Sequence, residues 1–216
     1  MSLTVACVWV KANVAYTAEY VANLRSMVAK HLTREHEFVC LTDRPEQLPK
    51  RGITPMRIEH DRKIPGWWAK ARLFDDLRFG DRVLYLDLDT LIVAPLDPIV
   101  DYPSRFALIP HAGTFQPKTG HRIVRRFNSS VMVWDAGVPP LFGDARRLSS
   151  IYWGDQDVIG DQAPWAQTMP AEWFPRLSEL QGQPPDRDAK VVLVKVPKTH
   201  VAADLYPWVW QAWRAA

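Results

Sequence analysis

The chain has 216 residues, 47% of them hydrophobic, which supplies a sizeable core and points to one domain over 1–216. A formal net charge of +3, from 27 basic and 24 acidic side chains, argues against a nucleic-acid binder and against an acidic solvating protein. Ten tryptophans and eighteen prolines indicate rigid turns and flat aromatic walls of the kind that hold ligands. Cys7 and Cys40 each sit in an apolar run and make no disulfide framework, so buried thiols in a reducing compartment are expected. The N-terminus lacks a basic leader, and no run reaches the roughly 20 apolar residues that a membrane span needs. A soluble, cytoplasmic protein with no transmembrane segment is the expectation.

Leu3 to Val10 is β-branched and aromatic, so it reads as a strand, and "KANVAYT" after it has loop composition. From Thr17, an N-cap candidate, Tyr20, Val21, Leu24, Val28 and Leu32 recur at helical spacing and form one apolar stripe. "HEFVCLTD" predicts a second strand, Ile53 to Ile58 a third and weaker one, and "WWAKARLFDDLR" a helix. "RVLYLD" is the next strand. This alternation is the rhythm of an α/β domain with a mostly parallel sheet flanked by helices. Ligands in such sheets collect beyond the carboxyl ends of the strands, which makes the segment after Val10 and the end of "RVLYLD" neighbours in one crevice. "RFALIP" and "SVMVW" predict further strands, with Pro110 to Phe127 between them as a loop. Its cluster His121, Arg122, Arg125 and Arg126 reads as a solvated face before it reads as a phosphate site. One more strand is expected at "KVVLVKV", and a short helix at the C-terminus.

Seventeen aspartates give about one Asp-x-Asp pair by chance, and the sequence holds three, so context must choose among them. Asp186 and Asp188 lie in "PPDRDAK", a polar turn. Asp155 and Asp157 open "DQDVIG". Asp87 and Asp89 end an apolar strand in "RVLYLDLDTLIV", with no Lys or Arg within four residues on either side. Two carboxylates at a partly buried strand end cost several kcal/mol per ion unless a cation or hydrogen-bond donors compensate. A divalent metal meets that need, since Mg²⁺ or Mn²⁺ prefers carboxylate oxygens and can hold a diphosphate at the same time. The alternative is ordinary: Asp87 caps a turn and Asp89 is exposed.

"RVLYLDLDTLIV" resembles the metal-binding strand of the nucleotide-sugar glycosyltransferases of the GT-A fold, above all the family 8 group that includes glycogenin and the bacterial lipopolysaccharide galactosyltransferases. "FNSSVMVWD" (127–135) is similar to that group's Asn-Ser-Gly-type strand, and "GDQDVI" (154–159) to its Asp-Gln segment. The order and spacing agree over nearly the whole chain. The resemblance implies a metal-dependent, retaining transfer of a hexose from a nucleotide diphospho-sugar, most simply a UDP-sugar, to a carbohydrate or other hydroxyl acceptor. It divides the chain into a nucleotide-binding half, 1–109, and an acceptor-side half, 110–216. By the same resemblance Asp87 and Asp89 bind Mn²⁺ or Mg²⁺, Asn128 holds sugar hydroxyls, and Asp155 and Gln156 lie near the reacting carbon.

Lys70 stands on the apolar stripe of its expected helix, three residues after Trp67 and four before Phe74. Either it snorkels to solvent or, as the resemblance implies, it meets the donor. Lys11 and Asn13 are candidates for the edge of the nucleobase, and Trp67 and Trp68 for stacking on a sugar. One departure stands out. The group completes its metal site with a histidine shortly before a "KPH"-type segment, and matching "PKTH" to that segment puts Val194 at the ligand position. His200 corresponds to the second histidine, so the third protein position falls to His200 or to water. Val194 also motivates a non-catalytic nucleotide-sugar binder of the same fold. A haloacid-dehalogenase-type phosphatase fits less well, because Leu91 stands where that chemistry wants Thr or Val and three strands precede the aspartates.

Overall fold

The computed structural model describes residues 1–13, 15–74, 79–115, 123–138, 141–194 and 199–214, with the backbone alone at 112–115, 123, 124 and 200. Four parallel strands form one side of the main sheet: β1 (Leu3–Trp9), β2 (Glu37–Thr42), β3 (Thr54–Arg57) and β4 (Arg82–Leu86). The antiparallel β7 (Ile123–Asp135) follows β4, and β6 (Phe106–Phe115) and β8 (Gln167–Thr168) complete the order β3-β2-β1-β4-β7-β6-β8. A second sheet pairs β5 (Thr90–Ile92) with β9 (Val191–Leu193). The expected mixed, mostly parallel α/β sheet is therefore the observed one.

The period-two alternation of a strand sorts β1 onto two apolar layers. Leu3, Val5, Cys7 and Trp9 face α1 (Ala18–His31) and the C-terminal residues Ala202, Val209 and Trp213. Ala6, Val8 and Val10 face the opposite layer, with Trp68, Phe74, Phe142 and Ile159. The expected stripe of α1 is buried, and Thr17 is its N-cap, although its hydroxyl makes no capping bond. Cys7 and Cys40 are register partners on β1 and β2, both buried, and burial pushes the Cys7 thiol up.

Three expectations change. The segment read as an α-helix is a 3₁₀ helix, Gly66–Phe74, and residues 75–78 of the expected helix lie outside the described residues. Side chains three apart eclipse in such a helix. Trp68, Ala71 and Phe74 therefore form one buried row, while the row of Trp67, Lys70 and Leu73 brings a lysine to the strand ends. The expected loop 110–127 is in its described parts the arms of β6 and β7, which pair Pro110 with Phe127 and Gly113 with Arg125. Register shifts beside Ile109 and Pro110 accommodate the proline in the strand. His121 and Arg122 lie outside the described residues, as do 195 and 196 of the last expected strand. At the C-terminus, after the short helices α2 (Asp97–Val100), α3 (Ala145–Ile151) and α4 (Asp155–Gln162), two helices stand where one was expected, α5 (Thr199–Leu205) and α6 (Pro207–Arg214).

Candidate active site

β4 ends at Leu86, so Asp87 and Asp89 stand in the turn before β5 rather than on one face of an extended strand. Thr90 causes the turn: its backbone N–H and its hydroxyl both donate to the Asp87 carbonyl, at 3.2 and 2.7 Å. The Asp87 N–H donates to the Ser130 carbonyl at 2.8 Å and ties the turn to β7.

The cation missing from the local sequence comes from elsewhere. Lys70 Nζ lies 2.9 Å from Asp87 Oδ1 and 3.4 Å from Asp155 Oδ2, and it also reaches the Ser129 hydroxyl at 3.3 Å. Burial alone would lower the pKa of this ammonium, but the Asp155 and Asp87 carboxylates outweigh burial and hold it above the ordinary lysine value. Two phenols complete the set. Tyr85 donates to Asp87 Oδ1 and Tyr16 to Asp89 Oδ2, each at 2.7 Å. Burial first, and then the neighbouring carboxylates, push both tyrosines up, so both remain protonated donors. Because Tyr16 follows β1, its contact with Asp89 joins the loop after β1 to the turn after β4, as the parallel sheet implied.

Asp155 opens α4 (Asp155–Gln162), whose N-cap is Gly154. Its carboxylate accepts from the Ser129 hydroxyl at 2.6 Å and is 5% exposed, so it faces the lysine instead of capping its helix. Asn128 Oδ1 accepts from the Ser130 N–H at 2.8 Å, which fixes the amide locally on β7. The end of the Gln156 amide lies 3.1 Å from Arg125 Nη1 and 3.3 Å from Nε, and because a guanidinium only donates, that end is assigned as the oxygen. Arg125 in turn grips Asp157 in a fork of 2.7 and 2.9 Å. In the loop after β1, Lys11 N–H donates to Asp43 Oδ1 at 3.0 Å. Gly66 lies so close to Asn13 that a Cβ there would fall 3.0 Å from the Asn13 backbone nitrogen.

A cleft of about 660 Å³ brings Lys70, Asp87, Asp89, Asn128, Asp155 and Gln156 together. Trp67 and Trp153, 49% and 58% exposed, stand in its wall, whereas Trp68 is buried in the core. Val194 also lines the cleft, 2% exposed and apolar at the position where a metal ligand was expected. His200 is on the first turn of α5, with its side chain outside the described residues. Among the described residues no group of three His, Cys, Asp or Glu side chains forms a closed metal cage. Asp87 and Asp89 are half-buried on the cleft and offer the hard oxygen donors that Mg²⁺ or Mn²⁺ takes, which fits a metal held by two carboxylates and completed by substrate oxygens and water.

No family model matches the sequence, and no curated protein matches it. Among solved structures, the galactosyltransferase LgtC in complex with donor and acceptor sugar analogues aligns over 99% of this chain and 97% of its own. The TM-score is 0.64 at 13% identity. The chain has the GT-A glycosyltransferase fold. An active-site glutamine-to-glutamate mutant of LgtC aligns equally well. The glycosyltransferase GlyE of Streptococcus pneumoniae TIGR4 has a TM-score of 0.60 at 13% identity, over 92% of this chain and 56% of its own. The bifunctional glycosyltransferase WbbM also scores 0.60, at 11% identity over 92% and 46%. This GT-A chain thus spans about half the length of GlyE and of WbbM. The haloacid dehalogenase expectation falls with the fold, since the aspartates follow the fourth strand of a GT-A sheet.

Sequence reasoning missed Tyr16, Tyr85, Ser129 and Trp153, and it read Arg125 as part of a solvated face although that residue is part-buried against Asp157. Tyr85 carried a signal, because it lies two residues before Asp87. Ser129 carried another, beside Asn128 in the quoted motif. Nothing local announces Tyr16, which meets Asp89 across 73 positions. No helix among the described residues is long and apolar enough to cross a membrane.

Proposed function

We propose that this GT-A domain, 1–216, transfers a hexose from a nucleotide diphospho-sugar, a UDP-sugar by resemblance, to the hydroxyl of a carbohydrate acceptor. The observation that carries the proposal is the convergence of Lys70, Asp87, Asp89, Asn128, Asp155 and Gln156 on one cleft in this fold.

Asp87 and Asp89 would hold Mn²⁺ or Mg²⁺, with His200 or water as the third partner. The metal supplies charge neutralisation for the departing diphosphate without a proton transfer. The chain's own residues do the rest. Lys70 holds Asp87 and Asp155 in one orientation and keeps positive charge at the floor of the cleft, where a phosphate gains negative charge. Asn128, with its oxygen committed to Ser130, presents its amide N–H groups to sugar hydroxyls. Asp155 is enclosed by Ser129 and Lys70, which suits a positioning carboxylate better than an attacking one. That favours a same-face, retaining displacement assisted by the leaving phosphate over a covalent glycosyl intermediate. Trp67 and Trp153 provide flat apolar faces for an acceptor ring. The glutamine mutated in the LgtC active site supports a reacting-centre role for Gln156.

The test is a thermal-shift panel of UDP-, GDP- and ADP-sugars, each with and without Mn²⁺. A ligand at 100 times its Kd adds about 2.7 kcal/mol to folding stability. One nucleotide series is expected to raise the melting temperature, more strongly with Mn²⁺. No shift with any nucleotide sugar would refute the reading. The buried Val194 favours a second reading, a binder without turnover. That protein would show the same shift but release no UDP.

A further inference from the structure

Arg125 lines the cleft and meets two consecutive residues of α4, Gln156 and Asp157. Its fork closes on Asp157, whose side chain is fully buried, and the same guanidinium faces the Gln156 amide. Arginine carries five N–H donors and no acceptor, so only the oxygen end of an amide can face it. The nitrogen end must point away. Asp155 on one side is tied to Ser129 and Lys70, and Asp157 on the other is tied to Arg125, so the backbone that carries Gln156 is held at both neighbours.

We infer that Arg125 is a positioning residue that locks the Gln156 side chain with its nitrogen toward the cleft, making it a one-way hydrogen-bond donor to a substrate oxygen. The inference rests on the reading of the cleft as a glycosyl-transfer site, and it assigns Gln156 a chemistry. An amide nitrogen is neither nucleophile nor base. Its contribution is to stabilise an oxygen on which negative charge grows during transfer, and preorganisation by Arg125 spares the reorganisation a free amide would undergo. The buried Asp157 is the anchor that keeps Arg125 from turning toward the cleft carboxylates.

Steady-state kinetics of UDP release on wild type, R125M, R125K, Q156E and R125M/Q156E test the inference. Losing a preorganised donor typically costs about 100-fold in kcat, so a loss of roughly 10- to 100-fold is expected for R125M, with the donor KM within about twofold. R125K should recover part of it. Q156E keeps an oxygen against Arg125 and should retain the wild-type melting temperature while losing kcat as R125M does. The double variant should lose no more than the worse single variant, since both act through one hydrogen bond. An unchanged kcat in R125M alongside a lowered melting temperature, or losses that multiply in the double variant, would overturn it. If R125M folds poorly because it strands the Asp157 carboxylate, R125M/D157N removes that charge and carries the same expectation.

A second readout needs no turnover. The Gln156 side-chain amide pair in a ¹⁵N-correlated NMR spectrum, identified by its absence in Q156E, should shift in R125M. An unmoved pair refutes the contact. A wild-type protein that releases no UDP would overturn the transfer reading instead, and the amide shift would then decide the orientation alone.

Discussion

Lys70 answers, at a distance of 17 positions, a question the aspartates raise locally. Two like charges with no basic neighbour in sequence imply a compensating cation, and the structure supplies one from the 3₁₀ helix before any metal is considered. Lys70, Asp87, Asn128 and Asp155, which the sequence singles out, all line one cleft. The partners of each carboxylate could not be ranked from the sequence, since Tyr16 comes from the loop after β1, Tyr85 from β4 and Ser129 from the middle of β7. Replacing Lys70 with Met should leave the buried Asp155 carboxylate facing the half-buried one of Asp87, and truncating one partner of a buried pair costs about 3–5 kcal/mol. Urea denaturation should register that loss. Calorimetry should register weaker binding of the nucleotide sugar in any K70M protein that still folds. A K70M variant as stable as wild type would show that the carboxylates do not depend on this ammonium.

At the scale of elements, the 3₁₀ helix Gly66–Phe74 is the piece whose type sequence reasoning mistook. Its apolar positions fit a period of 3.6 nearly as well as a period of 3, and over nine residues the two differ by too little to separate. The same ambiguity hid the extension of β6 and β7 through Pro110, because a proline and a glycine read as a loop unless the bulges that absorb them are known. Gly66 gives the element its close approach to the loop after β1. A Gly66→Ala side chain would run into the Asn13 amide oxygen and stand 3.0 Å from its backbone nitrogen, and backbone cannot swing aside as a side chain can. The loop must shift. Nucleotide affinity should therefore fall by about tenfold, roughly 1.4 kcal/mol, and calorimetry with UDP is the check. Unaltered UDP binding would remove the loop after β1 from the nucleotide site.

Across the whole molecule, the α/β class with its mostly parallel sheet was legible, because the alternation of strands and helices is a period-level signal that survives errors in any one element, whereas the strand order depends on long-range pairing that no local pattern carries. The C-terminus was less legible. One amphipathic pattern there resolves into α5 and α6, broken at Pro207, and Trp213 of α6 packs its ring 5.2 Å from Tyr20 on α1. Tyr20 in turn meets Tyr16 at 5.1 Å, and Tyr16 holds Asp89, so the last helix buttresses the cleft through a chain of rings. Trp213 is 1% exposed, and a buried Trp→Ala truncation costs about 3–5 kcal/mol. W213A should accordingly lower the denaturation midpoint, and in the protein that remains folded it should weaken donor binding. Equal donor affinity in W213A and wild type would confine Trp213 to stability.

The most direct test of glycosyl transfer in this cleft is the release of free UDP from a panel of UDP-hexoses, in Mn²⁺ and in EDTA, by wild type and by D89A. The account predicts release by the wild type in Mn²⁺, its suppression by EDTA, and its loss in D89A by about 100-fold or more, the scale of a lost charge-stabilising group. Release that persists undiminished in EDTA, or equally fast in D89A, would contradict it.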